Sequence, residues 1–310
     1  MGAYIVRRLL QAVPTVLGVA LLTFLLFDAV GPDPVRAALG NHATAEAMGN
    51  LRHQWGLDRP LALQFLDFLR QIATFDYGRS FVTGEDLGTQ LKAGALVSLS
   101  VTLPPFLLAA LLNVAVALFI ARHRDGLVDR GARALFVAAM SVSALVYVLA
   151  LQYLLAFKLD WFPINGYEPG WAAAKYLGLP WLIQLLLLMG PDIRLYRTLF
   201  LAEMGSDWVR TARAKGASER RVLLRHVLPN AWVPLITHNV TTIPFLILGS
   251  FLMERFFSIP GIGNLTIDAL SRGDLPILKA VTVLGALALV VFNLLNDLLV
   301  AWADPRVRLS

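Results

Sequence analysis

The apolar positions of this chain fall into six blocks, each long enough to cross a hydrocarbon core, which takes roughly 20 helical residues. They cover about Leu9–Val30, Val97–Ala121, Ala134–Phe157, Leu177–Phe200, Ala231–Met253 and Ile277–Ala303, the fourth interrupted by Pro191, Asp192 and Arg194. In lipid every backbone N–H and C=O must be paired within the protein, so the blocks read as helices. After the first block, Leu63, Phe65, Leu66, Phe68 and Leu69 interleave with Gln64, Asp67 and Arg70 across Leu61–Ile72. That pattern suits a short helix on a membrane surface or capping a pore. Between the fourth and fifth blocks runs a polar stretch, DWVRTARAKGASERRVLLRHVLPN, from Asp207 to Asn230. Asp207–Lys215 predicts a helix that Gly216 ends in a left-handed C-cap. Ser218 predicts an N-cap for a second helix over Glu219–Leu228, which Pro229 stops.

The expected fold is therefore all-α and polytopic, with about six membrane helices. Residues 1–30 form an N-terminal helix, 31–96 a segment with short helices, 97–303 a five-helix core containing the polar loop 203–230, and 304–310 a tail. Composition agrees: of 310 residues 57% are hydrophobic and 15% charged, with a mean hydropathy of +0.65. A soluble domain carries about a quarter charged residues. Arg7 and Arg8 before an apolar run resemble a secretory signal. The run is too long and lacks a small-residue cleavage site, so it reads as a retained membrane helix.

Net charge is +6, parcelled between apolar blocks rather than gathered on one domain, which argues against nucleic acid. Most of the 27 Lys and Arg residues sit around Arg7/Arg8, Arg122–Arg133, Arg194–Arg225 and Arg306/Arg308. Positive residues stay on the cytoplasmic side in short loops, so both termini are expected inside and residues 31–96 outside. Cysteine is absent, which excludes disulfides and thiolate chemistry on this chain. No Gly-x4-Gly-Lys-Ser/Thr phosphate loop, His-Glu-x2-His pattern or nucleophile–base pair occurs, so neither ATP hydrolysis nor intramembrane enzymology is expected here.

On the first arm of the hairpin, small Thr211, Ala212 and Ala214 lie beside Arg210, Arg213 and Lys215. Small side chains permit close approach by a partner while cations orient it. An interfacial hairpin reaching anionic lipid is the competing reading. The spacing Ala212, Gly216, then Leu228-Pro229 resembles the EAA loop of ATP-binding-cassette (ABC) importer permeases, with Arg210 where that loop has glutamate and His226 where it has an aliphatic residue. The wording Arg210–Gly216 is similar to the dipeptide, oligopeptide and nickel branch. So are Arg7-Arg8-Leu9, Gly56-Leu57-Asp58-Arg59-Pro60-Leu61, Asp76-Tyr77-Gly78-Arg79-Ser80, Glu254-x2-Phe257-x2-Pro260-Gly261-x-Gly263, Asn293-x3-Asp297 and Asp304-Pro305-Arg306-x-Arg308.

That resemblance implies the type I importer permease fold and half of a pore completed by a second, similar permease. It implies two cytoplasmic ATPases gripping Arg210–Gly216 with Leu228-Pro229, and an extracytoplasmic binding protein delivering a peptide, or else nickel, a metal chelate or a glutathione-like solute. No cofactor is implied on this chain. ATP and magnesium would belong to the ATPase subunits, and the setting would be a bacterial inner membrane.

Polar groups within the blocks carry two readings. Thr237, His238, Asn239, Thr241 and Thr242, flanked by Pro234 and Pro244, either line the path or bond between helices. Asn293, Asn296 and Asp297 share a face, either structural or lining. Asp28 reads as solvated, and Arg194 and Arg197 as positioning cations. Trp161, Phe162, Trp171, Tyr176 and Trp181 read as an interfacial belt. Glu254, Phe257, Pro260 and Gly261 either meet the binding protein, gate the pore, or form a tight re-entry turn. A gradient-driven carrier or a passive channel is the rival class, although no internal duplication of the kind many carriers show is present.

Overall fold

The computed structural model describes residues 2–29, 33–39 and 44–303, and the tail pattern Asp304–Arg308 lies outside them. Regular structure among the described residues is helical apart from one isolated bridge between Arg79 and Asp86. In chain order come α1 (Gly2–Phe24, widening into a π-turn at Leu25–Ala29), α2 (Pro34–Leu39), α3 (Ala45–Gln54), α4 (Leu61–Thr74) and α5 (Leu87–Arg122). Then follow α6 (Leu127–Met140), α7 (Ala144–Leu151, widening at Gln152–Lys158), α8 (Ala173–Met204), α9 (Asp207–Ala214) and α10 (Glu219–Val222, widening at Leu223–Val227). The last four are α11 (Trp232–Leu248), α12 (Phe251–Phe256), α13 (Ile262–Arg272) and α14 (Leu275–Ala303).

Five segments are long and apolar enough to cross a bilayer, and a sixth qualifies if α6 and α7 count as one span. The sequence predicts that third span, Ala134–Phe157, as continuous; instead α6 and α7 meet at 89°. The break has local causes. Ser141 turns its hydroxyl back onto Val137 O at 2.9 Å, and Ser143 starts α7 by accepting the Leu145 N–H at 3.3 Å. By contrast, Pro191, Asp192 and Arg194 do not interrupt α8, which runs unbroken for 32 residues. Proline is tolerated there because neighbouring helices satisfy the freed backbone groups.

α5 is the central mast: its 36 residues extend roughly 54 Å at 1.5 Å each. Asp86 caps its start, accepting the Thr89 N–H at 2.8 Å. α5 packs along α8, α11 along α14, and α1 against α14 with α4 wedged beside it. Core clusters are strung along this frame. One, at what we term the hairpin end, joins Ala117, Leu118, Ile120, Ala121, Ile193, Tyr196 and Phe200 to Val209, Val222 and Val227. Another, at the far end, joins Leu87 and Leu91 to Ile262, Leu275 and Leu278.

Buried ion pairs tie the frame at both ends. Arg197 of α8 grips Asp129 of α6 with two hydrogen bonds of 2.6 and 2.7 Å, so it is a structural cation. The expectation of a solvated Asp28 is wrong. Its carboxylate is 6% exposed and takes two bonds from Lys279 of α14, at 2.9 and 3.1 Å. The π-turn that ends α1 brings Asp28 onto the α14 side, where a lone charge would be costly.

Candidate functional site

The polar hairpin has two faces. Val209 and Ala212 turn into the hairpin-end core, Val209 with no exposure at all, while Arg210, Thr211, Arg213, Ala214, Lys215 and Gly216 are exposed. Burying a valine side chain stabilises by about 1.5–3 kcal/mol, so α9 is rooted rather than draped. The placement corrects the reading of Ala212 as part of a docking face. Its small size serves the inner face, where it sits in the hairpin-end core while α9 packs on α10 and the turn at Leu223–Val227.

The turn follows the sequence. Ala217 N–H donates to Ala212 O at 3.1 Å and Gly216 N–H to Arg213 O at 2.9 Å, the paired bonds of a Schellman C-cap. Gly216 has φ +81°, and a Cβ built on it meets nothing within 4 Å. Backbone conformation, not space inside this chain, is what glycine supplies there. Arg213 then donates to both oxygens of Glu219, at 2.9 and 3.2 Å, locking one arm to the other.

The second arm departs from expectation. Instead of one helix over Glu219–Leu228, α10 stops at Val222 and widens until Leu228 N–H reaches Leu223 O at 2.9 Å. Pro229, next in line, has no N–H and its ring crowds the carbonyl four residues back, so the wider turn accommodates it. Ser218 takes the extended N-cap backbone without a side-chain bond. Leu228 is half-buried on the core and Pro229 exposed.

Midway along the spans the fifth-block polar residues meet a partner that the sequence did not suggest. Asp192 of α8 receives His238 Nε2 at 2.9 Å and Asn113 Nδ2 of α5 at 3.1 Å. Asn239 donates to the Tyr196 hydroxyl at 2.9 Å and to Leu235 O at 2.8 Å. The Thr241 and Thr242 hydroxyls turn back on their own helix. Three helices are thus cross-linked by polar bonds at one level. His238 keeps 34% of its side chain open, and Thr237 and Asp297 are half-buried. Asn293 is exposed on α14. An acid inside an apolar helix and Asn113 inside another were the available signals, since intramembrane polar groups seek each other.

Glu254, Phe257 and Gly261 are buried and only Pro260 of that quartet is exposed, which excludes the first three as a docking surface in this conformation. Glu254 instead buckles a re-entrant turn. Its carboxylate accepts from Ser98 Oγ of α5 at 2.8 Å, Asn264 N–H at 3.0 Å and Ser250 N–H at 3.2 Å. Ser98 Oγ in turn accepts the Ile262 N–H at 2.9 Å. A Cβ on Gly249, Gly261 or Gly263 would collide with the Glu254 carboxylate, so the spaced glycines make room for it. Gly249, with φ +79°, interrupts the helix between α11 and α12, yet Trp232–Phe256 still forms one spanning segment, as the sequence predicts for the fifth block.

Two family matches cover most of the chain. Residues 113–309 match the family described as "Binding-protein-dependent transport system inner membrane component", and residues 1–88 match its N-terminal counterpart. The chain belongs to this family. It is the permease subunit of an ABC importer, a multi-pass inner membrane component with the type I fold. Full-length similarity extends to individual permeases. The "Putative peptide transport system permease protein" of Brucella abortus (strain 2308) is 34% identical over 99% of both chains. The "Glutathione transport system permease protein GsiC" of Salmonella choleraesuis (strain SC-B67) is 32% identical over 98% of both. The family comprises components of binding-protein-dependent transport systems, and both relatives are named as permeases of transport systems, which favours neither the gradient-driven carrier nor the channel.

Proposed function

We propose that this permease is half of the pore of a peptide importer, worked through the exposed face of α9 by a partner ATPase. One observation carries the coupling: a cationic, glycine-tipped surface is exposed while its reverse is embedded in the core that anchors α5, α8 and α11. A pull on Arg210–Gly216 would pass through Val209 and Ala212 into α5 and α8, and through the Leu228-Pro229 turn into α11. Helices are stiff, so closure of two ATPase subunits around ATP and magnesium would tilt the spans together. The ATPase must bind one pore state better than the other for its cycle to shift anything.

In this reading the hairpin end faces the cytoplasm with both termini, as the positive loops direct, and residues 31–96 face the binding protein. A second, similar permease completes the pore, and no cofactor sits on this chain. Thr237, His238, Asn239, Thr241, Asn293 and Asp297 supply polar groups toward the path. A glutathione-like solute, itself a small peptide, is the second reading, favoured by the name of the Salmonella relative. Reconstituting the tagged permease with its neighbouring subunits tests the proposal. ATP-dependent uptake of tripeptide, with ATPases co-purifying, is expected. Solute movement by the lone chain without ATP would overturn it.

A further inference from the structure

Two stretches noted in the sequence, Gly56–Leu61 and Asp76–Ser80, come together at the far end of the α1–α14 seam. Between them and α4 opens a cavity of about 540 Å3, within the range of about 300–1,000 Å3 that small-molecule sites occupy. Its charges are unevenly matched. On its wall Arg59 is tied to Asp67 at 3.2 Å, and Lys279 to Asp28 at 2.9 Å. Arg70 and Arg79 also line it, yet among the described residues neither makes an ion pair. The lining carboxylate of Asp76 has no cationic partner there either and accepts only the Gly78 N–H, at 3.2 Å. Beside these groups Trp55 stacks on Phe81 with ring centroids 3.8 Å apart, giving the wall an apolar panel.

Two guanidiniums and one carboxylate that lack an ion-pair partner among the described residues, together with an aromatic panel, complement a compact zwitterion. We propose that this cavity is a holding site for a short free peptide. Its terminal carboxylate meets the planar forks of Arg70 and Arg79, which suit two parallel bonds to a carboxylate. Its ammonium meets Asp76, and its apolar body lies on Trp55 and Phe81. The site deepens the peptide-importer reading and rests on it for the ligand class.

Equilibrium binding of trialanine to the purified full-length chain in lipid nanodiscs, without ATP or other subunits, tests the site. Trialanine should bind, its C-terminal amide about tenfold or more weaker, because a charge-assisted bond is lost. Arg70→Gln and Arg79→Gln should each weaken the acid several-fold and leave the amide unchanged. Both residues lie outside the ion-pair framework, so their melting temperatures should match that of the native chain. Absence of binding, equal affinity for acid and amide, unchanged affinity in both variants, or displacement by equimolar inorganic phosphate would each overturn the proposal. Uptake assays separate the two readings: ATP-driven tripeptide import without nanodisc binding removes the site and keeps the importer. Carboxylate-dependent binding without import does the reverse.

Discussion

Gly216 can be replaced in ways that separate backbone strain from partner contact. With φ at +81° and nothing within 4 Å of a built Cβ, a side chain there clashes with no part of this chain. Its cost is conformational, about 1–2 kcal/mol for an ordinary L-residue in left-handed geometry. Asn visits that region readily and should cost less, whereas a β-branched residue is a genuine outlier there. Val209 and Ala212 keep their burial in either variant, so Gly216→Asn and Gly216→Val should both reach the membrane with near-native melting temperatures. If glycine is needed because a partner approaches the bare backbone, both variants should lose ATP-dependent uptake, the nearly unstrained Asn included. The assay is uptake in reconstituted vesicles, alongside retention of the ATPase on a tagged permease. Native uptake by Gly216→Asn would refute the contact argument and leave turn geometry as the whole reason for glycine.

Other perturbations probe the frame. Arg197→Ala leaves the buried Asp129 carboxylate only the half-exposed Arg133 at 3.6 Å and the Asp125 N–H at 3.0 Å, and should destabilise by no more than about 3–5 kcal/mol. The double variant Asp129→Asn/Arg197→Met should cost less in chemical denaturation, and equal losses would argue against a charge-pairing role. Glu254→Ala leaves the buried Ser98 hydroxyl and the half-buried Ser250 and Asn264 N–H groups without that acceptor, at a cost of up to about 1–3 kcal/mol for the buried donor and less for the other two. The turn should then become protease-sensitive before the rest of the chain, and unchanged digestion would count against the buckle. The N–H and hydroxyl of Thr89 hold the Asp86 carboxyl below its usual range. A lowered folded-state value means the cap is fully effective above the ordinary Asp value near about 3.9 and fails as pH falls through the lowered one. Amide-exchange protection factors at the start of α5, taken relative to the intrinsic exchange rate at each pH, should therefore fall on acidification, and Asp86→Asn should remove that dependence.

What the sequence discloses is what depends on neighbours along the chain. Apolar runs marked the spans because lipid admits only closed hydrogen bonding, and Ala212, Gly216 and Pro229 marked the hairpin because a turn is a local event. The break between α6 and α7 stayed hidden, since Ser141 and Ser143 barely dent an apolar run. Partners distant in sequence were not visible at all. Asp28 finds Lys279, and Glu254 finds Ser98, only once helices pack. The face of Ala212 was misread for the same reason: an eight-residue helix does not say which side its core lies on. Asp192 read as a flaw in the fourth span, although it joins three helices.

The central claim is that the exposed face of α9 is where the motor holds the pore. Because the native chain has no cysteine, a single Ala214→Cys provides a unique reactive point on that face. With the assembled transporter in vesicles, a short bifunctional reagent should join Ala214→Cys to an ATPase subunit, with a yield that changes when ATP is added. A cysteine at Thr74, on the opposite side of the membrane in this account, should not react with that subunit. An actively transporting preparation in which Ala214→Cys is labelled by a small thiol reagent yet never joins an ATPase would contradict the account.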